Sequence, residues 1–399
     1  MDKGNWTYRK LGEICDFERG LTYSKNDESP IPTENSVFRS NNVDLDSKQI
    51  VLDDLKYLVP DFYIPDSKKV RPNTILICMS NGSMQHVGKV AHIEKKYGSA
   101  FGGFMGLLIP KQECLSKYLF YFLNSSTYRH FLISIANGIN ITNLKFSDLR
   151  NLNLPVPPLS IQQRIVAELD CISGILEKKR QQLKELDNLA QAIFYDMFGD
   201  PVENEKGWEV NSLNRIALLK NGLNFGRVDE GIKVKILGVS DFQENKKISS
   251  KEIGYTIVSK EVEDNFYLKD NDLVFVRSNG SKSLIGRCVL INTFGEKVSF
   301  SGFCIRCRII SDKVIPQFLL SLMQEPKVKV QLTCGGRGCN IQNINQENLG
   351  KQPVILPPLS LQQSFAAKIE AIEKQKERIS QSIKEVQTLF DSRMEVYFG

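Results

Sequence analysis

The sequence predicts an α+β protein in which a globular domain and a long helix occur twice in tandem. Three observations support this fold class: the 399-residue chain repeats itself, each copy opens with short β-rich segments, and each copy closes on a heptad pattern. A chain of this length can bury more than one core. We therefore expect mixed domains at 1–157 and 208–357, helices at 158–198 and 358–399, and a linker at 199–207.

Ordered matches along the whole chain indicate the duplication. Pro157-Pro158-Leu159-Ser160 recurs as Pro357-Pro358-Leu359-Ser360, an offset of 200. Upstream the offset drifts by a residue or two, as loop insertions cause. The upstream matches are Ser80-Asn81-Gly82-Ser83 with Ser278-Asn279-Gly280-Ser281, Gly103-Phe104 with Gly302-Phe303, and Trp6, Leu11 and Gly20 with Trp208, Leu213 and Gly222.

The first part of each copy alternates strand-like segments with turn signals. Residues 74–78, which are apolar after Thr74, and residues 273–276 precede an Asn-Gly pair, which is typical of a buried strand running into a turn. Short helices are expected between the strands, for example from Tyr118 to Asn124. Each copy is therefore expected to form a mixed globular domain.

Each double proline is followed by a predicted long helix. Ser160 with Gln163, and Ser360 with Gln363, have the spacing of a capping box at a helix start. A mostly apolar heptad seam then follows, with positions four and three apart from Ile165 to Met197 and from Phe365 to Arg393. Some 36 residues make a helix of about 54 Å, so we expect it to project from its domain. The two seams favour antiparallel pairing about a pseudo-twofold axis, although each stripe could instead pack on its own domain.

Composition excludes several classes without choosing a function. The net charge of +6, from 52 Lys plus Arg against 46 Asp plus Glu, permits polyanion binding but does not require it. No apolar run is long enough to cross a bilayer, and the start is polar. The chain has nine cysteines, and an odd number scattered along a long chain favours free thiols over a disulfide framework. We expect a cytoplasmic protein.

Two motifs that could carry chemistry have simpler interpretations. The segment from Gly82 to Gly88-Lys89 spaces its glycines six apart, unlike a P-loop, and predicts a turn between strands. Cysteines at 304, 307, 334 and 339 have the pairing of zinc ligands, but the first copy has Met105, Leu108, Ser134 and Ile139 there. Buried thiols are therefore expected, with no metal and no catalytic residue.

The order of motifs resembles the specificity subunits of type I restriction-modification systems. The resemblance rests on Trp6 with Leu11, a Gly-Ser turn followed by Gly-Lys or Gly-Arg, P-P-L-S-x-Q-Q, and Met197-Phe198-Gly199-Asp200-Pro201. It implies two target-recognition domains that read a bipartite site in double-stranded DNA, joined by spacer helices. It also implies two methyltransferase and two restriction or motor subunits as partners. S-adenosylmethionine, ATP and Mg²⁺ would then belong to those partners, and this chain would be non-catalytic. The alternative is a two-headed protein-interaction scaffold that reads no DNA.

The repeat also suggests which residues contact DNA. Residues shared by both copies should serve the scaffold or phosphates, and residues that differ should read bases. Gln can bind adenine, and Arg can bind guanine, through two hydrogen bonds. The turns could equally be solvated loops, and residues 138–143 could pack under the helix. The candidates are Ser80, Asn81, Gly82, Ser83, Gln85, His86, Lys89, Asn140 and Asn143 in the first copy, and Arg277, Ser278, Asn279, Gly280, Ser281, Lys282, Arg287, Asn340 and Asn343 in the second.

Overall fold

The chain forms two compact units, and each unit includes the C-terminal end of the long helix that begins in the other unit. The computed structural model describes residues 6–135, 143–225, 230–242, 247–333 and 343–399. The first unit comprises Met1–Arg180 together with Gln381–Gly399, and the second comprises Gln181–Ser380. These units follow spatial packing, so they divide the helices at other places than the sequence-based ranges do.

The first half of the chain runs as a series of short strands and helices into one long helix. Its strands are β1 (Thr7–Lys10), β2 (Cys15–Arg19), β3 (Glu28–Ser29), β4 (Ser36–Phe38), β5 (Lys56–Leu58), β6 (Thr74–Cys78), β7 (Val90–Ile93), β8 (Ala100–Phe101), β9 (Met105–Pro110) and β10 (Asn153–Val156). Its helices are α1 (Leu11–Ile14), α2 (Ser116–Phe122), α3 (Ser126–Ile135), α4 (Phe146–Arg150) and α5 (Leu159–Phe198).

The second half repeats this order. Its strands are β11 (Glu209–Ser212), β12 (Ala217–Asn221), β13 (Ile232–Leu237), β14 (Lys247–Ser249), β15 (Tyr255–Val258), β16 (Leu273–Val276), β17 (Cys288–Asn292), β18 (Val298–Phe300), β19 (Cys304–Ile309) and β20 (Pro353–Leu356). Its helices are α6 (Leu213–Ile216), α7 (Pro316–Gln324), α8 (Pro326–Thr333), α9 (Gln346–Gly350) and α10 (Leu359–Phe398).

The central sheets of the two units match strand for strand. The first unit contains a sheet in the order β2-β9-β6-β7, and the second contains β12-β19-β16-β17 with β14 added at its edge. Within both sheets the four matching strands pair antiparallel. Smaller sheets, β3-β5-β4-β8 and β15-β13-β18, lie in the first and second unit respectively. The predicted α+β class and the tandem duplication are confirmed.

The predicted strands 74–78 and 273–276 are β6 and β16, the buried centres of the two sheets. Side chains alternate between the faces of a strand. Ile75 and Ile77 therefore contribute to the core beneath the helices, whereas Leu76 and Cys78 contribute to the core between the sheets. This double burial explains why both segments are apolar on both faces, apart from Thr74 at the start of β6.

A buried glutamine in the first turn, and not the predicted capping box, anchors the start of each long helix. The amide N–H of Gln162 donates to the carbonyl of Pro158, so Pro158 is the N-cap and Ser160 lies inside the first turn. The capping-box prediction is therefore wrong. The side chain of Gln162 is fully buried; its Oε1 accepts from the Leu115 N–H at 2.8 Å, and its Nε2 donates to the carbonyl of Pro157 at 2.8 Å.

The second copy repeats the glutamine contacts atom for atom. Gln362 is fully buried, accepts from the Ile315 N–H at 2.9 Å, and donates to the carbonyls of Lys313 and Pro357 at 2.9 and 2.8 Å. The first glutamine of the repeated Gln-Gln pair thus fixes each helix start to its own domain.

Segments of α5 and α10 pack side by side within each unit, and in the second unit their contacts show that they run antiparallel. In the second unit, Met197 of α5 lies beside Lys368 of α10, and the Asp187 carboxylate accepts a hydrogen bond from Lys376 Nζ at 2.9 Å. Residue numbers thus fall along one helix as they rise along the other. In the first unit, the Glu168 carboxylate pairs with Arg393 at 2.8 Å and accepts from the Tyr397 hydroxyl at 2.5 Å.

The C-terminal end of each helix departs from the predicted heptad seam. Met197 and Arg393 were expected in the seam, but Met197 is only half-buried and Arg393 is exposed. The last buried aromatic residues of the two helices are Phe198 and Phe398, one and five positions later. The reason is that these ends pack on globular-domain residues as well as on a helix: the Phe198 ring lies 4.8 Å from that of Phe318 in α7.

Candidate nucleic-acid interface

The Ser-Asn-Gly-Ser turn of the first copy follows the end of β6 and is shaped by its asparagine. The Asn81 side chain donates to the Ser40 hydroxyl at 2.9 Å and accepts from the Ser83 N–H at 2.9 Å. Asn81 is half-buried and both of its polar groups are engaged inside the domain, which is a scaffold role. Gly82 and Ser83 are exposed at the tip, and a Cβ on Gly82 would meet no atom within 4 Å.

The second copy builds the same turn after β16. The Asn279 carbonyl oxygen accepts from the Ser281 N–H at 2.7 Å, and the hydroxyls of Ser281 and Ser283 lie 2.8 Å apart. A Cβ on Gly280 would also meet open space. The equivalent asparagines, Asn81 and Asn279, therefore close the turn in the same way in both copies.

The structure brings the two predicted candidate segments together. Ser80 forms an isolated antiparallel bridge with Asn143, and Ser278 forms the equivalent bridge with Asn343. Asn143 and Asn343 are exposed beside the turns. The turn and the end of the predicted Gly-to-Asn segment thus form one surface in each unit. Asn140 and Asn340 lie outside the described residues.

Polar residues that differ between the copies flank the first turn. Gln85 is exposed in the short 3₁₀ helix that follows the turn. His86 is half-buried, and burial together with the nearby Lys89 lowers the pKa of its imidazole. Lys89 Nζ donates to the carbonyl of Val43 at 2.7 Å, and burial lowers the pKa of this ammonium group. Gln85 is thus the best placed to reach a ligand, whereas Lys89 holds a neighbouring loop.

Two half-buried arginines adjoin the second turn. Arg277 precedes it directly, and its Nε is buried with no hydrogen-bond partner among the described residues. The Arg277 carbonyl accepts from the Ile344 N–H at 2.9 Å, next to the bridged Asn343. Arg287 follows the 3₁₀ helix Lys282–Leu284, where Lys89 stands in the first copy. The second surface is therefore richer in guanidinium groups.

Sequence reasoning missed one basic position on this surface. Arg129 in α3 is exposed. The pKa of the Lys48 ammonium group is lowered mainly by burial and secondly by the nearby charge of Arg129. Its counterpart 200 positions later, Lys329 in α8, donates to the carbonyl of Ser283 at 3.0 Å. The repeat could have revealed this position, because it carries a basic residue in both copies, as a shared phosphate contact would require.

The proposed zinc alternative fails on strand geometry. Cys304 and Cys307 lie three residues apart on β19, so they point to opposite faces of the sheet. Cys304 belongs to the core between the sheets, and Cys307 to the core beneath the helices. Burial raises the pKa of both thiols, to about 12 for Cys304, which opposes the thiolate that zinc needs. Cys334 and Cys339 lie outside the described residues.

One family model matches the chain twice, once in each half. A model described as the type I restriction modification DNA specificity domain matches residues 3–187 and again residues 205–388. The chain belongs to this family. It therefore carries two specificity domains, each of which includes the Ser-Asn-Gly-Ser turn and most of a long helix.

Curated relatives carry the name of this family, and solved structures share the fold. The chain is 27% identical over 385 residues to the StySPI specificity subunit of Salmonella potsdam, covering 92% of this chain and 82% of that protein. It is 25% identical over 387 residues to the EcoKI specificity subunit of Escherichia coli K12, with the same coverage. The fold is similar to that of the S subunit from M. genitalium, with a TM-score of 0.53, 16% identity, and coverage of 99% of this chain and 96% of that chain.

A second solved structure, from work on complex assembly and conformational transition of the type I R-M system, gives a TM-score of 0.58 at 17% identity. It covers 98% of this chain and 97% of that chain. None of the helices in the described part of the chain combines the length and apolarity that crossing a bilayer requires.

Proposed function

We propose that this chain selects the DNA sequence on which a type I restriction-modification complex acts, and that each copy reads one half of a bipartite site. One observation carries the assignment to a particular surface: the Ser-Asn-Gly-Ser turn and its bridged asparagine are built twice on the same backbone connections. The side chains that flank them differ. A protein that reads two unlike half-sites needs a shared frame and different reading residues.

The chemistry of the flanking residues assigns their roles. Exposed Arg129 and half-buried Lys329 carry positive charge at the same place in both copies, which suits phosphate contact. Exposed Gln85 can form two hydrogen bonds with adenine, and Arg277 and Arg287 can do so with guanine. The shared serines, glycines and asparagines position the turn.

The proposed partners are those of a type I restriction-modification complex. DNA and the methyltransferase and restriction subunits of a type I complex are the proposed partners, with two copies of each protein subunit matching the two-fold repeat of this chain. S-adenosylmethionine, ATP and Mg²⁺ would bind those partners, and this chain would be a non-catalytic component. The relatives are named specificity subunits of type I restriction enzymes, which supports this division of labour.

Salt-dependent binding by the reconstituted methyltransferase complex tests the assigned surface. Removing one interaction between a basic side chain and a phosphate should reduce the slope of log K against log salt by about 0.9. Arg129→Ala and Lys329→Ala should each show this reduction for every duplex, because phosphate contacts carry no sequence information. Lys10→Ala is the charge-matched control, since exposed Lys10 contacts Asn151 and not the turn.

Gln85→Ala should leave the salt slope unchanged and relax one base position in the half-site read by the first copy. Mapping N6-methyladenine after expression with the partner subunits would reveal that position. If the wild-type complex bound no duplex in a salt-dependent, sequence-selective way, the two-headed scaffold would replace the proposed function.

Exchanging residues 1–155 for those of a relative tests whether the copies read independently. One half of the methylated motif should change and the other should persist. The graft must keep Tyr118 and Phe122, because both rings contact Phe398 at the end of α10. A change in both halves would contradict independent reading.

A further inference from the structure

One aromatic residue is exposed at the same place in both copies. Phe104 is 72% exposed and Phe303, its counterpart in the repeat, is 60% exposed. Each occupies the turn that precedes an inner strand of the central sheet, β9 or β19. Single exposed apolar residues are common on protein surfaces. The recurrence of this one at equivalent turns, between copies whose neighbouring side chains differ, indicates a role common to both.

The turn that carries Phe104 adjoins the proposed DNA-reading surface. The Phe104 carbonyl accepts hydrogen bonds from the N–H groups of Met79 and Ser80, at 2.8 and 3.2 Å. Ser80 in turn bridges Asn143. The residue that carries this ring therefore also holds Ser80, the first residue of the Ser-Asn-Gly-Ser turn, through its backbone carbonyl.

The second copy repeats this support. The Phe303 carbonyl accepts from Arg277 and Ser278 at 2.8 and 3.4 Å, and Ser278 bridges Asn343. Both aromatic residues thus stand beside the turn and the bridged asparagine of their own unit.

A close backbone contact holds each aromatic turn in place. The Gly20 N–H donates to the Met105 carbonyl at 3.1 Å, and a Cβ on Gly20 would lie 1.9 Å from the Gly102 carbonyl oxygen. In the second copy the Gly222 N–H donates to the Cys304 carbonyl at 3.1 Å. Glycine is required where two backbones approach this closely. The structure therefore presents the two rings on fixed supports.

We propose that Phe104 and Phe303 are DNA wedges, each inserting against the base stack of the half-site that its own copy reads. This inference rests on the proposed function. Every base has a π face, so a stacking ring works on any sequence and can be shared by copies that read different bases. Apolar side chains that unstack a base step also open the duplex. A partner that modifies an adenine amino group needs its base outside the stack, and the wedges lower the cost of that opening.

The experiment uses the complex with its methyltransferase subunits and duplexes that carry 2-aminopurine at the target adenine of one half-site. Base–aromatic stacking predicts that Phe104→Ala weakens binding by roughly 5- to 150-fold. It should also reduce the 2-aminopurine fluorescence increase in the half-site of the first copy only. Phe303→Ala should do the same for the other half-site. Phe104→Trp should retain both signals, because it keeps an aromatic face.

Tyr63→Ala and Phe294→Ala are matched controls, since these aromatic residues are 82% and 59% exposed and lie on other turns than Phe104 and Phe303. The salt slope should be unchanged in both wedge variants, since a ring neutralises no phosphate. Binding and fluorescence indistinguishable from the controls would overturn the wedges while leaving the proposed function intact, provided that Arg129→Ala still lowers the salt slope. Failure of the wild-type complex to bind selectively would overturn both.

Discussion

Replacing Phe398 by alanine should destabilise the first unit, although this residue lies near the opposite end of the chain from the first recognition domain. Phe398 is only 3% exposed, and its ring lies 5.3 Å from that of Tyr118 and 5.9 Å from that of Phe122. It belongs to the same core as Ile75 and Ile77 of β6. The substitution therefore opens a cavity inside the first unit.

Truncation of a buried phenylalanine to alanine costs about 3–5 kcal/mol. That is a large share of the roughly 5–15 kcal/mol that stabilises a domain. If the first unit opens as a whole, amide exchange in β6 should accelerate by roughly 150- to 5,000-fold. Phe198→Ala should instead affect β16, because Phe198 shares a core with Leu273 and Phe275 in the second unit.

Hydrogen–deuterium exchange with peptide-level mass spectrometry separates the two outcomes. Peptides covering β6 should lose protection in Phe398→Ala and keep it in Phe198→Ala, and peptides covering β16 should do the reverse. Leu389→Ala is the control on the same helix, since Leu389 is 47% exposed. If Phe398→Ala by itself reduced protection equally in β6 and β16, the packing of Phe398 into the core of the first unit only would be refuted.

Three further perturbations act inside single units. Gln162→Leu and Gln362→Leu should each destabilise their own unit, by about 1–3 kcal/mol for every buried backbone group left unpaired. Gly222→Ala should lower the free energy of unfolding of the second unit, since its Cβ would lie 2.2 Å from the Ser301 carbonyl oxygen. Burial lowers the pKa of His92, so its contribution to stability is present above the unfolded pKa of about 6.5 and is lost as pH falls through the folded pKa. His92→Gln should flatten the stability of the first unit between pH 7 and 5.

Denaturant titrations with exchange readouts in each unit check all three. Wild-type unfolding in both glutamine variants would mean that water replaces the amide contacts. An unchanged midpoint for Gly222→Ala would mean that the backbone can separate without cost. An equally steep pH dependence in the histidine variant would assign the loss to other groups.

Local and periodic features were readable from the sequence. Tandem matches establish duplication whatever the fold, and apolar five- and four-residue segments before Asn-Gly specify β6 and β16 because turn chemistry acts within a few residues. The opposite facing of Cys304 and Cys307 was also open to prediction, since side chains alternate along a strand. DNA specificity itself was predicted from a resemblance of motifs, because no single residue type in the sequence has a chemistry that requires DNA binding.

Tertiary structure alone decided which residues share a surface or a core. Gln162 and Gln163 are adjacent in sequence, but only Gln162 faces Leu115, so no local rule distinguishes the buried glutamine from the exposed one. Phe198 and Phe398 looked like ends of spacer helices, yet each completes a core built mainly from the other half of the chain. Burial depends on which apolar groups meet in space, and that pairing joins residues hundreds of positions apart.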